Sequence, residues 1–180
     1  MKRLSIGMMF AAVGMSAAVA LLMLFLAGVV GLAPVSAICL FIAAVMTWVP
    51  VREESGTLFA FIKYALVSAL SILICPSPYA YLYVLLFGHF GIAYYFLRRR
   101  VADDLLRWLL LLLYCNVMIA IGLALAQYVF SYDVQTFIPD MPIWMIILLT
   151  EAGLIVFVVV YHFCCDLFDT HIRKAILPRR

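Results

Sequence analysis

Charge is what this chain has least of. Only 12% of its 180 residues are Asp, Glu, Lys or Arg, about half the roughly 25% carried by soluble domains. That scarcity excludes a separate water-soluble domain and excludes nucleic acid as a partner. Runs of alternating polar and apolar residues are also missing, which excludes a barrel of short membrane strands. The five cysteines, Cys39, Cys75, Cys115, Cys164 and Cys165, form no CxxC pair and no zinc spacing, so neither a required disulfide nor a metal cofactor is expected. No GxSxG, HExxH, P-loop or repeated aspartate motif occurs, so an enzyme is the least supported class and no cofactor is expected.

What the chain has is hydrophobic length. Apolar residues make up 69% of it, and the mean hydropathy is +1.21. Six apolar stretches run over about 4–31, 34–50, 57–74, 79–97, 105–130 and 142–165. A spanning helix needs about 20 such residues. Backbone groups in lipid must be satisfied within their own segment, so the expected fold is all-α. It is an integral membrane protein of six transmembrane helices, one domain over 1–180, with a tail at 166–180. The breaks carry turn chemistry: Gly31 with Pro34, Pro50 before Arg52-Glu53-Glu54-Ser55-Gly56, Cys75-Pro76-Ser77-Pro78, Arg98-Arg99-Arg100, and Pro139 to Pro142. Residues 1–37 also resemble a signal peptide, with Lys2-Arg3 ahead and Val35-Ser36-Ala37 as a cleavage site. The apolar run is too long for that, and another span follows at once.

The basic residues set the expected orientation. Lys2, Arg3, Arg52, Arg98, Arg99, Arg100, Arg107, Arg173, Lys174, Arg179 and Arg180 fall at the two ends and in the second and fourth loops. The positive-inside rule then places both termini in the cytoplasm of a cell-membrane protein. The fourth loop, with Asp103-Asp104 among arginines, is expected to touch lipid headgroups.

Lys63 and Glu151 lie inside apolar stretches. An ionisable side chain at membrane depth is costly, and it generally has a partner or a function. The two are candidates for an intramembrane charge pair. His89 is ten residues past Tyr79, Glu151 nine past Pro142, and Asn116 nine past Arg107. At about 1.5 Å per residue, all three sit roughly 14 Å deep, near the midplane. Asn116, Ala120, Ala124 and Gln127 share a helix face, as do Glu151, Ile155, Val158 and His162. Gly88 and Gly91 flank His89 and leave room for another group. The expected ligand site is therefore His89, Asn116, Gln127 and Glu151, capped by Tyr83 and Trp144. Structural pairing of the same groups is the equal alternative. His162, Cys165, Asp166 and Asp169 also share one face, for which a solvated helix end is favoured over a metal site.

The first helix stacks small residues: Ala12, Ser16 and Ala20, with Gly14 and Ala18, and Gly7 and Ala11, beside them. Small side chains at this spacing admit a close partner helix. Length, six-helix topology and this small-residue face resemble the substrate-binding S components of bacterial energy-coupling factor transporters. That resemblance implies a ligand-binding subunit for a vitamin or related micronutrient. Its partners would be a transmembrane T subunit, docked on the first helix, and cytoplasmic ATPases. The stretch from Glu54-Ser55-Gly56 through Tyr83, Phe87-Gly88 and Asn116 also resembles uncharacterised six-helix proteins of Gram-positive bacteria. In size the chain is similar to the rod-shape-determining membrane proteins, which implies a scaffold as the alternative. A proton-coupled carrier using Glu151, His89 and His162 is the third reading.

Overall fold

The computed structural model describes residues 6–30, 32–48, 56–128 and 142–172. Among the described residues every regular element is helical. The helices are α1 (Ile6–Val30), α2 (Ala33–Val45), α3 (Gly56–Ile74), α4 (Pro78–Arg100), α5 (Asp104–Tyr128) and α6 (Ile143–Leu167, continued by a π-helical turn at Phe168–Ile172). Five of them, all but α2, are long and apolar enough to cross a membrane, as in a multi-pass membrane protein. The loop at Arg52–Ser55, the turn at Pro139 and Asp140, and the basic ends (Lys2, Arg3, and Arg173 to Arg180) lie outside the described residues.

The difference from expectation is α2. A span over 34–50 is expected, but the helix closes at Val45 after 13 residues. That is roughly 20 Å, against a hydrocarbon core of about 30 Å. A turn at Met46–Thr47 ends it, with the Thr47 N–H bonded back to the Ala44 carbonyl at 3.0 Å. Beyond that turn Trp48 is again helical.

The contacts divide the chain into two compact units, 1–102 and 103–180. In the first, α1 packs on α2 and α3, and α4 packs on α2 and α3. Its core is Ala17, Ala20 and Leu24 of α1, Leu40 and Ala43 of α2, Val67 of α3 and Tyr83 of α4. The alanines let the backbones approach closely, which is how helices associate without a hydrophobic gradient. Ser36 Oγ adds a bond to the Ala27 carbonyl at 2.8 Å. Gly28 gives the turn after α3 its seat: a Cβ there would lie 2.8 Å from Cys75 Sγ and 3.2 Å from Ser77 Oγ. Ser77 then caps α4, its Oγ accepting from the Ala80 N–H, with Pro78 in the first helical turn.

In the second unit α5 and α6 pack together. Their buried positions are Leu111 and Cys115 on α5, and Leu154, Val158, Tyr161 and Cys165 on α6. Steps of four, three and four along α6 mark a narrow helix–helix seam. Asp103 opens α5 as its cap, its carboxylate accepting from the Leu105 and Leu106 N–H groups at 2.8 and 3.3 Å.

Candidate functional site

The first unit buries an unusual set of polar side chains where the end of α2, the middle of α3 and the bend of α4 meet. Lys63 is fully buried, as are Thr47, Trp48 and Tyr83. The Lys63 Nζ donates to the carbonyl of Met46, the residue that closes α2. A helix C-terminus carries unpaired carbonyls and the negative end of the helix dipole, so a lysine there is favourable. Lys63 thus meets its need for a partner with backbone. A hydrogen bond to a charged group contributes about 1.5–3 kcal/mol. Insertion scales put Lys at a helix centre at a cost of about 2.5–3.5 kcal/mol. The bond to Met46 offsets much of that cost, and it uses one of the three donors an ammonium carries.

Thr47 and Trp48 follow directly on Met46. The Tyr83 hydroxyl approaches that of Thr47, yet neither the Thr47 nor the Tyr83 hydroxyl has a well-formed hydrogen bond among the described residues. The Trp48 ring is held edge-on by Tyr94 at 5.3 Å and by Tyr95 at 6.3 Å. Its indole Nε1 has no hydrogen-bond partner among the described residues. Buried polar atoms are normally satisfied, and each exception calls for an explanation such as water, an ion or a functional role.

The wall of this nest is a local irregularity in α4. Tyr83–Phe87 winds as a π-helix, with the Gly88 N–H reaching back to the Tyr83 carbonyl. Single π turns inside α-helices recur at functional sites. Tyr64 of α3 stabilises this one by donating its hydroxyl to the Val84 carbonyl at 2.7 Å. Gly88 is required by packing: a Cβ would lie 2.8 Å from the rings of both Tyr64 and Tyr83. The close approach expected beside His89 is thus made by two tyrosine rings. His89 is half-buried, its ring 5.5 Å from that of Tyr64.

Of the expected ligand site, His89 and Tyr83 belong to the first unit, Tyr83 as a core side chain. Asn116, Gln127, Glu151 and Trp144 belong to the second unit. There Asn116 bonds its own helix, its Nδ2 donating to the Leu112 carbonyl at 3.1 Å. Gln127 and Trp144 are exposed. Glu151 is half-buried, with its carboxylate close to the Cys115 thiol. Toward the C-terminal end of α6, His162 Nε2 lies 3.3 Å from Asp166 Oδ2, and its ring packs edge-on against Trp108 at 5.6 Å.

The small-residue stripe of α1 divides in two. Ser16 and Ala20 are buried in the first unit, and Ala12 is partly covered. Gly7, Ala11, Gly14 and Ala18 face outward. The sequence reading overlooked Thr47, Trp48 and Tyr64. Their signals were the Thr47-Trp48 pair ahead of Pro50 and the adjacency of Tyr64 to the buried lysine.

Comparison with protein-family models, with curated proteins and with solved structures finds no match.

Proposed function

We propose that this chain is the small-molecule-binding membrane subunit of an importer, working as S components do with a separate T subunit and ATPases. It would cross the cell membrane six times with both termini in the cytoplasm. The basic clusters in alternate loops support that orientation. The observation that carries the reading is the nest around Lys63. A purely structural core gains nothing from a buried lysine bonded at Met46 next to Thr47 and Trp48, whose buried polar atoms, like that of Tyr83, lack a hydrogen-bond partner among the described residues. A site that exchanges a polar ligand needs such groups held ready. The outward face of Gly7, Ala11, Gly14 and Ala18 supports a docked partner helix. That face would serve an envelope scaffold equally well, which makes a scaffold the second reading.

A pull-down from native membranes in mild detergent, with mass spectrometry of proteins and metabolites together, separates the two. Recovery of a T-type membrane subunit and two ATPases, with a bound metabolite, is the expected outcome. Recovery of envelope-assembly proteins alone would replace the importer reading with the scaffold.

A further inference from the structure

We propose that the nest in the first unit is an anion site, and that the molecule it takes carries a carboxylate or a comparable anionic group seated against Lys63. The inference deepens the importer reading and rests on it for the word substrate, but the site itself stands on separate observations.

The first observation is a surplus of donors. Lys63 Nζ has three N–H groups, and its bond to the Met46 carbonyl uses one. The Trp48 indole can only donate, and it is unpartnered among the described residues. The Thr47 and Tyr83 hydroxyls approach each other, and neither makes a well-formed hydrogen bond among the described residues. A group that only donates cannot absorb that set. A carboxylate can, because it accepts through two oxygens and about four lone pairs.

The second observation is charge. Lys63 is fully buried and has no carboxylate within ion-pair distance among the described residues. A buried cation is stable when it is paired and hydrogen-bonded. The Met46 carbonyl supplies the hydrogen bond and half a helix dipole. A seated anion would supply a full compensating charge.

The third observation is connection. Lys63 holds the carbonyl of Met46, Thr47 follows in the chain, and Tyr83 meets Thr47. The lysine and the two hydroxyls are therefore linked through the Met46–Thr47 chain segment. Tyr83 opens the π segment of α4, so the element that presents its hydroxyl is also the one able to change its hydrogen-bond register. A shift of that segment would admit the ligand to the nest.

The test uses the full chain in mild detergent, with indole nitrogens labelled. Benzoate is the probe and benzamide its neutral control. The Trp48 indole N–H signal is assigned from Trp48→Phe, and affinities are measured by calorimetry. The expected result is a saturable shift of the Trp48 signal with benzoate, at least tenfold tighter than with benzamide. Tyr83→Phe removes a hydroxyl with no well-formed hydrogen bond among the described residues, and it should weaken benzoate several-fold. Lys63→Met should abolish the preference over benzamide. Equal response to both probes, no response, or a benzoate response unchanged in Tyr83→Phe and Lys63→Met would overturn the proposal. A response that emerges only in Glu53→Gln/Glu54→Gln would also overturn it, since the charge would then be met by the chain's own carboxylates. Anion binding without copurifying ATPases keeps the site and removes the importer. ATPases recovered without a benzoate preference keep the importer and remove the site.

Discussion

The two compact units differ in how far their polar side chains reach. In the second, each polar group within a helix tends to bond its own backbone one turn earlier. Asn116 returns to Leu112, Thr150 to Ile146, and Thr170 to Asp166. Such a helix is self-sufficient, as lipid demands. In the first unit Ser16 and Ser71 also bond their own helices, at the Val13 and Ser68 carbonyls, but other polar groups reach between helices. Lys63 of α3 holds the end of α2, Tyr64 of α3 holds the π turn of α4, and Ser36 of α2 holds α1. Self-bonding costs little and commits a helix to nothing. Cross-bonding ties four helices together and leaves buried atoms unpartnered among the described residues. The first unit is where specificity is invested.

Substitutions that attack the cross-bonded unit should therefore outweigh equivalent changes in the self-bonded one. The largest effect is expected at Gly88→Ala. Its Cβ has nowhere to go between the Tyr64 and Tyr83 rings, and overpacking of this kind costs about 1–3 kcal/mol. Thermal unfolding in detergent would register it, and an unchanged midpoint would show that the rings can move apart. Next is Tyr64→Phe, which strips the Val84 carbonyl of its donor at a cost of about 1 kcal/mol. Hydrogen exchange should quicken over Tyr83–Phe87 and remain slow in α5. Equal acceleration in both units would erase the contrast between them.

Asn116→Leu is expected to cost less, about 0.6 kcal/mol or under, because the bond it loses is within one helix. A loss above about 2 kcal/mol would mean that Asn116 bonds beyond its own turn. The smallest change should come from Tyr83→Phe. Its hydroxyl has no partner among the described residues, and deleting an unsatisfied buried polar atom is neutral or slightly stabilising. A clear destabilisation would reveal a bond to Thr47 stronger than the geometry provides.

The helical, membrane-type fold was legible because it depends on hydropathy and turn residues alone. Helix limits at α3 and α5 differ from expectation by one or two residues. The end of α2 was not legible. Val45 through Pro50 reads as apolar chain, and only the distant Lys63 shows that a helix end needs a cation there. The same holds for the π turn: nothing in Tyr83–Phe87 as a string departs from an ordinary helix, and the Tyr64 hydroxyl that supports it comes from another element. Lys63 itself stood out because one charge in an apolar run needs no context to be noticed. Its partner, a main-chain oxygen, has no signature in sequence. The inward and outward faces of α1 were equally hidden, since Ala12, Ser16 and Ala20 are as small as Gly7, Gly14 and Ala18.

The shortness of α2 bears on how the chain enters a membrane. Thirteen residues make a weak insertion signal by themselves. α1, ending at Val30, and α2, beginning at Ala33, are joined by a two-residue link. Ser36 clasps Ala27 across that link. The pair is suited to insert as a single hairpin, with α1 supplying the hydrophobic drive and α2 carried in alongside it. Its far end then waits for α3, since the donor that closes it arrives only with Lys63. An assembly with the hairpin first and the cap second would follow the order of the chain.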